Sequence, residues 1–597
     1  MTTDGIRTMV APAILLLATA HALPAAMVTR GPYLQTPTPT SMIVRWRTDT
    51  LTSSRVQYGS APGSLTNSAD DVLPTTEHVV TVSGLAPDTQ YYYAVGSAAG
   101  ALVGDDADHH FSTAPTPGTP KPLRLWAIGD AGFTGANLDA VRDAYTTFNG
   151  SSPTDLFILL GDNAYILATD AQYQAAVFDE HAAMLRKTPV YSVFGNHEAF
   201  SSNSPTQVGP YFDMFSFPTA AEAGGVASGT EAYYAFDYAN LHFIVLDSEQ
   251  APTSSSTPML TWLESDLQST TADWVVVMWH RPPYTRGLLH DSDAESNEVN
   301  MRQYALPIIE NYGVDLVLSG HSHNYERSYF IDGHYGLGAS FTDANKVETG
   351  NGDPAGDGAY RKEDLGPTPH SGAVFVVDGS GSEVRNATLN HPAMLVGLLE
   401  LGSLVVDVDG DTLTARFLNS SAQVKDAFRI VKGSDCAPTP ATGCGPGPRG
   451  KLAVRNKVDD ARDGWTWKWK NGTIDASAFG AAADQTDVSV CVYDASGVLL
   501  GGSVIHGGSA WSSRASGLKY SDATLSRRGF KKIKVRFGAG SSRIEAKASG
   551  AGAAVPTLPA TFPVTAQLAN LDSGACWQSV FTTPRKNDAR AVIAAVP

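Results

Sequence analysis

Between residues 30 and 115, apolar and polar residues alternate in short runs separated by turn residues. The alternation is clearest at Met42–Trp46, Arg55–Tyr58, His78–Val82 and Tyr91–Val95. Short strands at regular spacing predict an all-β sandwich. We expect this domain to occupy 27–116, because the proline-rich stretch that follows indicates a linker.

Beyond residue 120 the pattern changes to uninterrupted apolar runs of strand length. These runs are Leu123–Ile128, Leu156–Leu160, Val190–Phe194, Phe243–Leu246, Trp274–Met278 and Val314–Leu318. Such runs are typical of strands buried on both faces in a sheet that helices cover. Helical periodicity lies between several of them, at Ala136–Phe148 and Asp170–Arg186. The pattern therefore predicts an α/β layered domain over 120–432.

A second stretch rich in Pro and Gly, 433–450, predicts another linker, and β alternation returns over 451–597. Within Phe530–Phe537, apolar and basic residues fall on opposite faces, as expected of a half-exposed strand. A chain of 597 residues is also too long for one hydrophobic core. The predicted fold is therefore multidomain, with an N-terminal β-sandwich, a central α/β layered domain and a C-terminal β-rich domain.

The net charge of −18 is unevenly distributed. Residues 451–597 hold 19 Lys and Arg against 11 Asp and Glu, a net of +8, whereas the first 450 residues hold 23 against 49, a net of −26. The acidic body argues against binding of nucleic acid. It does not argue against a phosphorylated substrate, because bound metal cations would dominate the local field. The basic C-terminal domain is a candidate for contact with a surface, a matrix or a partner.

The N-terminus has the pattern of a secretory signal. Arg7 precedes an apolar run from Met9 to Ala20, and Ala20–Ala22 is a candidate cleavage site. We predict a signal peptide at 1–26 and a secreted protein, either extracellular or periplasmic. No later segment has 18 uninterrupted apolar residues, so no membrane span is expected.

The four cysteines are Cys436, Cys444, Cys491 and Cys576. In an exported protein they predict two disulfides. Three pairings are available in principle. We favour Cys436 with Cys444, which would close a small loop, and Cys491 with Cys576, which would cross-link two segments of the C-terminal domain.

Five polar motifs follow the apolar runs of the central domain. They are Gly129–Gly132 (GDAG), Gly161–Tyr165 (GDNAY), Gly195–Glu198 (GNHE), Val277–His280 (VMWH) and Gly320–His323 (GHSH). Ligands of open α/β sheets gather at the carboxyl ends of the strands, so these motifs are expected to converge in one crevice.

The donor set of these motifs contains two Asp, one Tyr, one Asn and three or four His, with no Cys. Carboxylate, phenolate and imidazole suit a trivalent iron beside Zn, Mn or Fe in the divalent state. Seven donors are more than one tetrahedral ion needs. We therefore expect a two-metal centre in which one carboxylate bridges the ions.

The ordered motifs resemble the metallophosphoesterase superfamily, and Tyr165 narrows the resemblance to the purple acid phosphatases. Their pattern runs GDxG, GDxxY, GNHE, VxxH and GHxH, and this sequence matches every step, followed by the typical Asn324–Arg327. The stretch Gly84–Tyr91 resembles a fibronectin type III domain, as in the large plant-type members. The resemblance covers about residues 30–432 and leaves the C-terminal domain outside it.

The resemblance implies a role for each donor. It assigns Asp130, Tyr165 and His323 to the ferric ion, Asp162 to the bridge, and Asn196, His280 and His321 to the divalent ion. His197 is implied to contact substrate. His290 is implied to be a second substrate-facing histidine, although its flanking residues Gly287–Asp291 depart from the plant pattern. Glu198 is placed either to orient His197 or to lie exposed as a solvated charge.

The implied activity is hydrolysis of phosphate monoesters by attack of a metal-bound hydroxide. A cationic His197 or His290 would stabilise the phosphate and protonate the leaving oxygen. Two alternatives stay open. A phosphodiesterase or nucleotide diphosphatase uses nearly the same metal set. A surface-binding protein with a vestigial core would lack at least one ligand, and none is missing from this sequence. The favoured interpretation is a secreted acid phosphatase for small phosphorylated substrates.

Overall fold

The computed structural model describes residues 26–362, 364–432 and most of 436–596, with gaps at 438, 458–461, 483–485, 498, 506–509, 523–528, 551–552, 554–557 and 572. The predicted signal peptide falls on 1–26 and so lies almost entirely outside the described residues. The predicted multidomain fold is confirmed: an N-terminal sheet domain, a central α/β region and a strand-rich C-terminal region follow one another along the chain. Among the described helices, none has the length and apolar character needed to cross a membrane.

The N-terminal region is built from strands that form one continuous sheet. They are β1 Val28–Gln35, β2 Ser41–Gly59, β3 Asn67–Ser83, β4 Gln90–Ser97, β5 Gly100–Gly104 and β6 His110–Ser112. The runs predicted as two strands, Met42–Trp46 and Arg55–Tyr58, are the two ends of β2. The pairing of β2 with β3 is irregular between Arg47 and Ser54, as expected where a strand bends. Because buried residues from both ends of β2 share one core, the sheet folds over itself.

The central region alternates strands with helices. Its strands are β7 Leu123–Ile128, β8 Leu156–Leu159, β9 Val190–Ser192, β10 Tyr234–Tyr238, β11 Leu241–Val245, β12 Trp274–Met278, β13 Leu316–Ser319, β14 Tyr325–Ser328, β15 Tyr360–Lys362, β16 Val374–Asp378, β17 Met394–Leu398, β18 Gly402–Asp409, β19 Thr412–Asn419 and β20 Val424–Lys432. Its α-helices are α1 Ala136–Asn149, α2 Asp170–Tyr173, α3 Ala182–Leu185, α4 Pro210–Met214, α5 Pro258–Ser269, α6 Ser296–Asn300 and α7 Leu306–Asn311. Shorter or wider helical turns lie at Gln174–Asp179, Glu198–Phe200, Met301–Ala305, Gly338–Ser340 and Asp343–Asn345.

These strands form two seven-stranded sheets, in the orders β10-β11-β12-β13-β16-β14-β17 and β15-β20-β19-β18-β7-β8-β9. The predicted apolar runs therefore divide between them. The strands β7, β8 and β9 lie parallel in one sheet, and β11, β12 and β13 lie parallel in the other. Along β12, Val276 and Met278 face a core shared with the other sheet, whereas Val275 and Val277 pack with residues of α5 and α7. Residues that alternate in this way belong to a strand between two apolar layers.

The C-terminal region is almost entirely strand. Its elements are β21 Gly445–Pro446, β22 Arg449–Arg455, β23 Gly464–Gly472, α8 Ala476–Phe479, β24 Val488–Tyr493, β25 Leu499–Ile505, β26 Trp511–Arg514, β27 Gly517–Ser521, β28 Phe530–Arg536, β29 Ser542–Ser549, β30 Val564–Asn570, β31 Cys576–Phe581, β32 Pro584–Asp588 and β33 Ala591–Val596. They form a five-stranded and an eight-stranded sheet around one core. In β28, Ile533 and Val535 are buried and Lys534 and Arg536 are exposed, so the predicted half-exposed strand is present.

The favoured disulfide pairing is wrong, although all four cysteines are paired. Cys436 is bonded to Cys491 in β24, and Cys444 is bonded to Cys576 at the start of β31. The reason is that β21 pairs with β31, which brings Cys444 beside Cys576. The proline-rich segment around β21 is therefore attached at two points to the C-terminal sheets.

A buried histidine joins three elements of the central region and provides a test of stability. His242 in β11 lies between two carboxylates, with Nδ1 2.7 Å from Asp237 of β10 and Nε2 2.7 Å from Asp266 of α5. Burial lowers the pKa of His242, but the two carboxylates outweigh it and raise that pKa to about 9. Since the unfolded value is about 6.5, protonated His242 stabilises the fold fully below pH 6.5, and this contribution is lost as the pH rises through about 9.

We therefore expect His242→Gln to lower the free energy of unfolding by about 3 kcal/mol at pH 6, the value that corresponds to this pKa shift. The difference from the unsubstituted protein is expected to narrow above pH 9. Urea unfolding at pH 6 and pH 10 measures both values. A loss of equal size at the two pH values would show that the histidine contributes packing rather than charge.

Candidate metal centre

The structure brings all seven predicted metal ligands to one place, where the carboxyl ends of the two central sheets meet. Asp130 follows β7, Asp162 and Tyr165 follow β8, Asn196 follows β9, His280 follows β12, and His321 and His323 follow β13. The site is therefore built from both sheets. Sequence alone predicts convergence in one crevice but does not assign the motifs to two sheets.

Three of the predicted ligands surround the hydroxyl of Tyr165. Tyr165 Oη lies 3.0 Å from Asp130 Oδ1, 3.1 Å from His323 Nε2 and 3.3 Å from Asp162 Oδ2. His323 Nε2 is also 3.4 Å from Asp130 Oδ1. We call these four side chains the tyrosine set.

A second group of predicted ligands lies on the side of the other oxygen of the same aspartate. Asp162 Oδ1 lies 3.4 Å from His280 Nε2. Asn196 Oδ1 is 3.3 Å from His280 Nε2 and 2.8 Å from His321 Nδ1. We call these four side chains the asparagine set, so that Asp162 belongs to both sets.

The spacing within each set fits ligands of one ion. Ligand atoms about 2.1 Å from an ion lie about 3.0 Å from one another in an octahedral arrangement and about 3.4 Å in a tetrahedral one. The measured separations between the donors run from 2.8 to 3.4 Å. Because one oxygen of Asp162 faces each set, its carboxylate is in position to bridge two ions.

Three of these side chains are held by backbone in the left-handed region. The φ angles are 55° at Asp130, 53° at Asp162 and 68° at His321. Each of the three follows a glycine at the end of a strand. A Cβ at Gly161 would clash with the ring of His280, so this glycine is required by the close approach of a loop from the other sheet. Left-handed residues that are not glycine concentrate at functional sites.

The buried carboxylates and the buried phenol of the site favour the binding of cations. Asp130 and Asp162 are both buried. Burial raises the pKa of Asp162, but His280 and His197 outweigh it and hold that pKa below its usual range. Burial, together with Asp130 and Asp162, raises the pKa of Tyr165 well above its usual value. A phenol and carboxylates so placed act as ligands once deprotonated, which bound cations favour.

The histidines are oriented by groups on their far sides. His280 Nδ1 donates to the carbonyl oxygen of Leu160 at 2.9 Å, so Nε2 is the nitrogen directed into the asparagine set, where its lone pair could bind an ion. Glu383 Oε2 lies 2.7 Å from His323 Nδ1. His321 directs Nδ1 into the asparagine set, and its Nε2 lies 3.2 Å from Glu295 Oε2.

Glu198 has neither of the two roles considered for it from the sequence. It is fully buried and does not lie exposed as a solvated charge. Its carboxylate accepts hydrogen bonds from the backbone amides of Asp162, Asn163 and Gly195, at 2.8 to 2.9 Å, and from the Tyr173 hydroxyl. Glu198 therefore connects the loop after β8 to the loop after β9 and positions Asp162.

The two predicted substrate-facing histidines lie beside different sets. His197 Nε2 is 3.7 Å from Asp162 Oδ2, and its Nδ1 donates to the carbonyl oxygen of Ile166 at 2.6 Å. The His290 ring lies 4.0 Å from the His321 ring, centroid to centroid. Both imidazoles are partly exposed, so each can reach a ligand bound over the site.

A carboxylate that no motif pointed to holds His290. Glu295 Oε1 lies 3.1 Å from His290 Nδ1, and Glu295 Oε2 accepts from Arg281 Nη1 at 2.6 Å. Arg281 is in turn fixed by Glu249, whose carboxylate accepts from Nε at 2.9 Å. Glu249 follows β11 at the same edge of the sheet, a position from which the sequence could have suggested it. Glu295 lies in a loop without a regular pattern and gave no such signal.

Comparison with known proteins finds two family matches and several similar plant enzymes. Residues 123–325 match the calcineurin-like phosphoesterase family, and residues 31–113 match the N-terminal domain of purple acid phosphatases. Purple acid phosphatase 15 of Arabidopsis thaliana is 29% identical over 321 residues, which cover 47% of this chain and 57% of that protein. Phosphoenolpyruvate phosphatase of Allium cepa is 29% identical over 298 residues, covering 47% of this chain and 58% of that protein.

A solved structure supports the fold. The purple acid phosphatase isolated from yellow lupin (Lupinus luteus) seeds superposes with a TM-score of 0.55 and 19% identity, covering 70% of this chain and 78% of that one. The family matches cover most of the N-terminal region and the central region as far as residue 325, a span that includes all seven predicted ligand positions. The two family matches, together with the likeness to the plant enzymes, make residues 31–325 similar to the purple acid phosphatases, within the calcineurin-like phosphoesterases.

Proposed function

We propose that this protein is an exported two-metal acid phosphatase that hydrolyses phosphate monoesters. The observation that carries the proposal is the position of Asp162, whose two oxygens face two separate sets of donors. In this proposal the tyrosine set holds a ferric ion and the asparagine set holds a divalent Zn, Mn or Fe ion. When bound, the two ions would clamp the phosphate and activate a water molecule.

The chain's own residues would complete the site around the phosphate. His197 lies beside the tyrosine set and His290 lies beside the asparagine set, so a phosphate over the centre would be contacted from two directions. Either imidazolium can donate a hydrogen bond to a phosphate oxygen, and one of them can pass its proton to the leaving alcohol. Glu295 holds His290 in this position.

The substrate class separates the proposed activity from its nearest alternative. A monoesterase is expected to hydrolyse 4-nitrophenyl phosphate with a kcat/KM at least about 100-fold higher than for bis(4-nitrophenyl) phosphate. This ratio corresponds to a difference of about 2.7 kcal/mol in activation free energy. The purified protein reconstituted with iron and zinc is the sample for this comparison. A preference for the diester would favour the phosphodiesterase. Hydrolysis of neither compound would favour the binding protein with a vestigial core.

Tyr165 provides a spectroscopic test of the ferric site. A phenolate bound to ferric iron has a charge-transfer band in the visible, and no other side chain of the two sets would supply one. We expect Tyr165→Phe to lose the visible band while the far-ultraviolet circular dichroism is unchanged, because only the hydroxyl is removed. Tyr173→Phe is the matched control, since Tyr173 is buried nearby but bonds Glu198 rather than the donor sets. An iron-loaded Tyr165→Phe protein with an unchanged band would remove the tyrosine from the ligand set.

We further propose that the C-terminal domain is dispensable for the chemistry. Both disulfides join cysteines within 436–576, so neither ties this domain to the catalytic one. The last strand of the central region along the chain, β20, ends at Lys432. A chain ending at residue 435 is therefore expected to hydrolyse 4-nitrophenyl phosphate with a kcat within about 3-fold of the full chain, less than the effect of losing one catalytic hydrogen bond. A soluble, metal-loaded but inactive truncation would show that the domain contributes to the site.

Export is proposed from two independent features. The N-terminal residues have the pattern of a signal peptide. Both cysteine pairs are also oxidised, and disulfides persist outside the reducing cytosol. Cell fractionation of the full-length protein tests export, and N-terminal sequencing of the mature chain locates the cleavage site.

A further inference from the structure

We propose that the metal centre is surrounded by an apolar rim that selects phosphate esters with an uncharged, apolar leaving group. This inference rests on the proposed phosphatase function and specifies its substrate class. The apolar rim consists of exposed side chains on the loops that carry the donors: Phe133, Ile166, Leu167, Phe200, Leu288 and Leu289.

One side of the apolar rim is a row of aromatic rings that begins next to the metal ligands. The ring of Phe133 lies 4.3 Å from that of Tyr165, and Tyr165 lies 4.5 Å from His197. His197 lies 5.4 Å from Phe200, which is 64% exposed. The row therefore leads from a ligand of the proposed ferric ion, past a substrate-facing histidine, to solvent.

Ile166 and Leu167 extend the same side of the apolar rim. They directly follow Tyr165, and both side chains are more than half exposed. The carbonyl of Ile166 accepts the hydrogen bond from His197 Nδ1, so this loop is fixed against the histidine. Large apolar side chains that are exposed together, beside polar catalytic groups, mark a binding surface more often than scattered ones do.

The opposite side of the apolar rim is carried by the loop of His290. Leu288 is 47% exposed and Leu289 is 78% exposed. His290, the next residue, places its ring 4.0 Å from that of His321 and is held there by Glu295. The two leucines are therefore brought to the edge of the asparagine set, and the apolar rim has members beside both sets.

The arginines next to the site are already paired with carboxylates. Arg281 is bonded to Glu249 and Glu295. Arg286 lies 3.1 Å from Asp293, and Arg385 lies 2.9 Å from Glu383. These arginines are the basic groups that the loops after β12 and β13 and around His323 bring to the site, and each has a carboxylate partner. A second negative charge on the leaving group would meet apolar side chains and paired arginines there.

The selectivity follows from which part of the ester reaches the apolar rim. The phosphate is fixed over the two sets, and hydrolysis cleaves the bond between phosphorus and the ester oxygen, so that water and the ester give an alcohol and inorganic phosphate. The alcohol portion therefore extends from the donors towards the surrounding loops. Apolar groups gain free energy by leaving water for such a surface, whereas a carboxylate or second phosphate loses hydration without gaining a partner.

The experiment compares esters whose leaving alcohols have similar acidity but different polarity. Benzyl phosphate, glycerol 3-phosphate and 3-phosphoglycerate are hydrolysed by the metal-loaded full chain. We expect kcat/KM for benzyl phosphate to exceed that for glycerol 3-phosphate by about 10-fold, the discrimination that a modest apolar contact supplies. We expect kcat/KM for benzyl phosphate to exceed that for 3-phosphoglycerate by a larger factor, mainly because the KM for 3-phosphoglycerate is higher. Benzylphosphonate, which is not hydrolysed, is expected to inhibit more tightly than methylphosphonate.

Variants then assign the preference to the apolar rim. Phe200→Ser is expected to lower the ratio of kcat/KM for benzyl phosphate to kcat/KM for glycerol 3-phosphate by about 10-fold. It is also expected to weaken inhibition by benzylphosphonate more than inhibition by methylphosphonate. Leu288→Lys is expected to raise kcat/KM for 3-phosphoglycerate relative to benzyl phosphate. The matched control is Leu51→Ser, because Leu51 is as exposed as Phe200 but lies in the N-terminal sheet domain.

Three kinds of result would overturn the inference, in distinguishable ways. Hydrolysis of all three esters with equal kcat/KM, or a preference for 3-phosphoglycerate, would leave the phosphatase proposal standing and remove the selection by the apolar rim. A full chain that hydrolyses none of these esters, nor 4-nitrophenyl phosphate, would remove both proposals. A change of the ratio in Leu51→Ser as large as in Phe200→Ser would also remove the role of the apolar rim.

Discussion

Asp162→Ala is expected to abolish both metal sites and to lower kcat/KM for a phosphate monoester by at least about 1000-fold, the equivalent of several kcal/mol of lost metal catalysis. The reason is that one oxygen of Asp162 lies within 3.3 Å of Tyr165 Oη and the other lies 3.4 Å from His280 Nε2. The other six predicted ligands each belong to one set only. If the two sets hold two ions as proposed, removal of Asp162 would affect both, whereas removal of any other ligand would affect one directly.

Elemental analysis separates this prediction from a general loss of activity. The unsubstituted protein is expected to hold about two ions per chain, as the two donor sets imply. Asn196→Ala is expected to lower the divalent content and to retain iron, and Asp162→Ala is expected to lower both. Asp139→Ala is the control, because Asp139 lies in the first turn of α1, outside both donor sets. Two ions bound to the Asp162→Ala protein would contradict the bridging role.

The convergence of the candidate ligands could be predicted because most of their motifs carry a strong local signal. A buried strand ends, a glycine follows, and a polar side chain comes next, as at Gly129–Asp130, Gly161–Asp162 and Gly320–His321. Such signals need only the apolar run and the residues directly after it. The structure places all of these side chains together because parallel strands of each sheet end at the same edge.

The remaining features depend on contacts between distant parts of the chain. The role of Glu198 could not be deduced, because its partners include backbone amides of residues 162 and 163, on another loop. The pairing of Cys444 with Cys576 depends on β21 joining β31, across a sequence separation of 132 residues. The division of the apolar runs between two sheets also leaves no local trace, since all of them are buried on both faces.

A buried charge cluster holds those two sheets together and explains how the site is kept intact. Asp315, just before β13, lies in one sheet, and Lys362 of β15 and Lys432 of β20 lie in the other. Lys362 Nζ is 2.6 Å from Asp315 Oδ1, and Lys432 Nζ is 2.7 Å from Asp315 Oδ2. Asp315 Oδ2 also accepts from the amide of Val275 in β12 at 2.8 Å. One carboxylate therefore joins the sheet that carries His280 and His321 to the sheet that carries Asp130 and Asp162.

Asp315→Ala is expected to lower the free energy of unfolding of the central region by about 3–5 kcal/mol, the usual cost of leaving one side of a buried ion pair unpaired. Both lysine side chains are at least 98% buried, so water cannot replace the missing carboxylate, and burial already holds the pKa of Lys362 at about 8 despite Asp315. Denaturant unfolding followed by tryptophan fluorescence measures the loss of stability. Metal content measured below the unfolding transition shows whether the two donor sets remain together.

Glu400→Ala is the control, because Glu400 pairs with Lys425 at the surface and such pairs contribute less than about 1 kcal/mol. A loss of stability at Asp315 no larger than at Glu400 would show that the sheets are held by apolar packing alone.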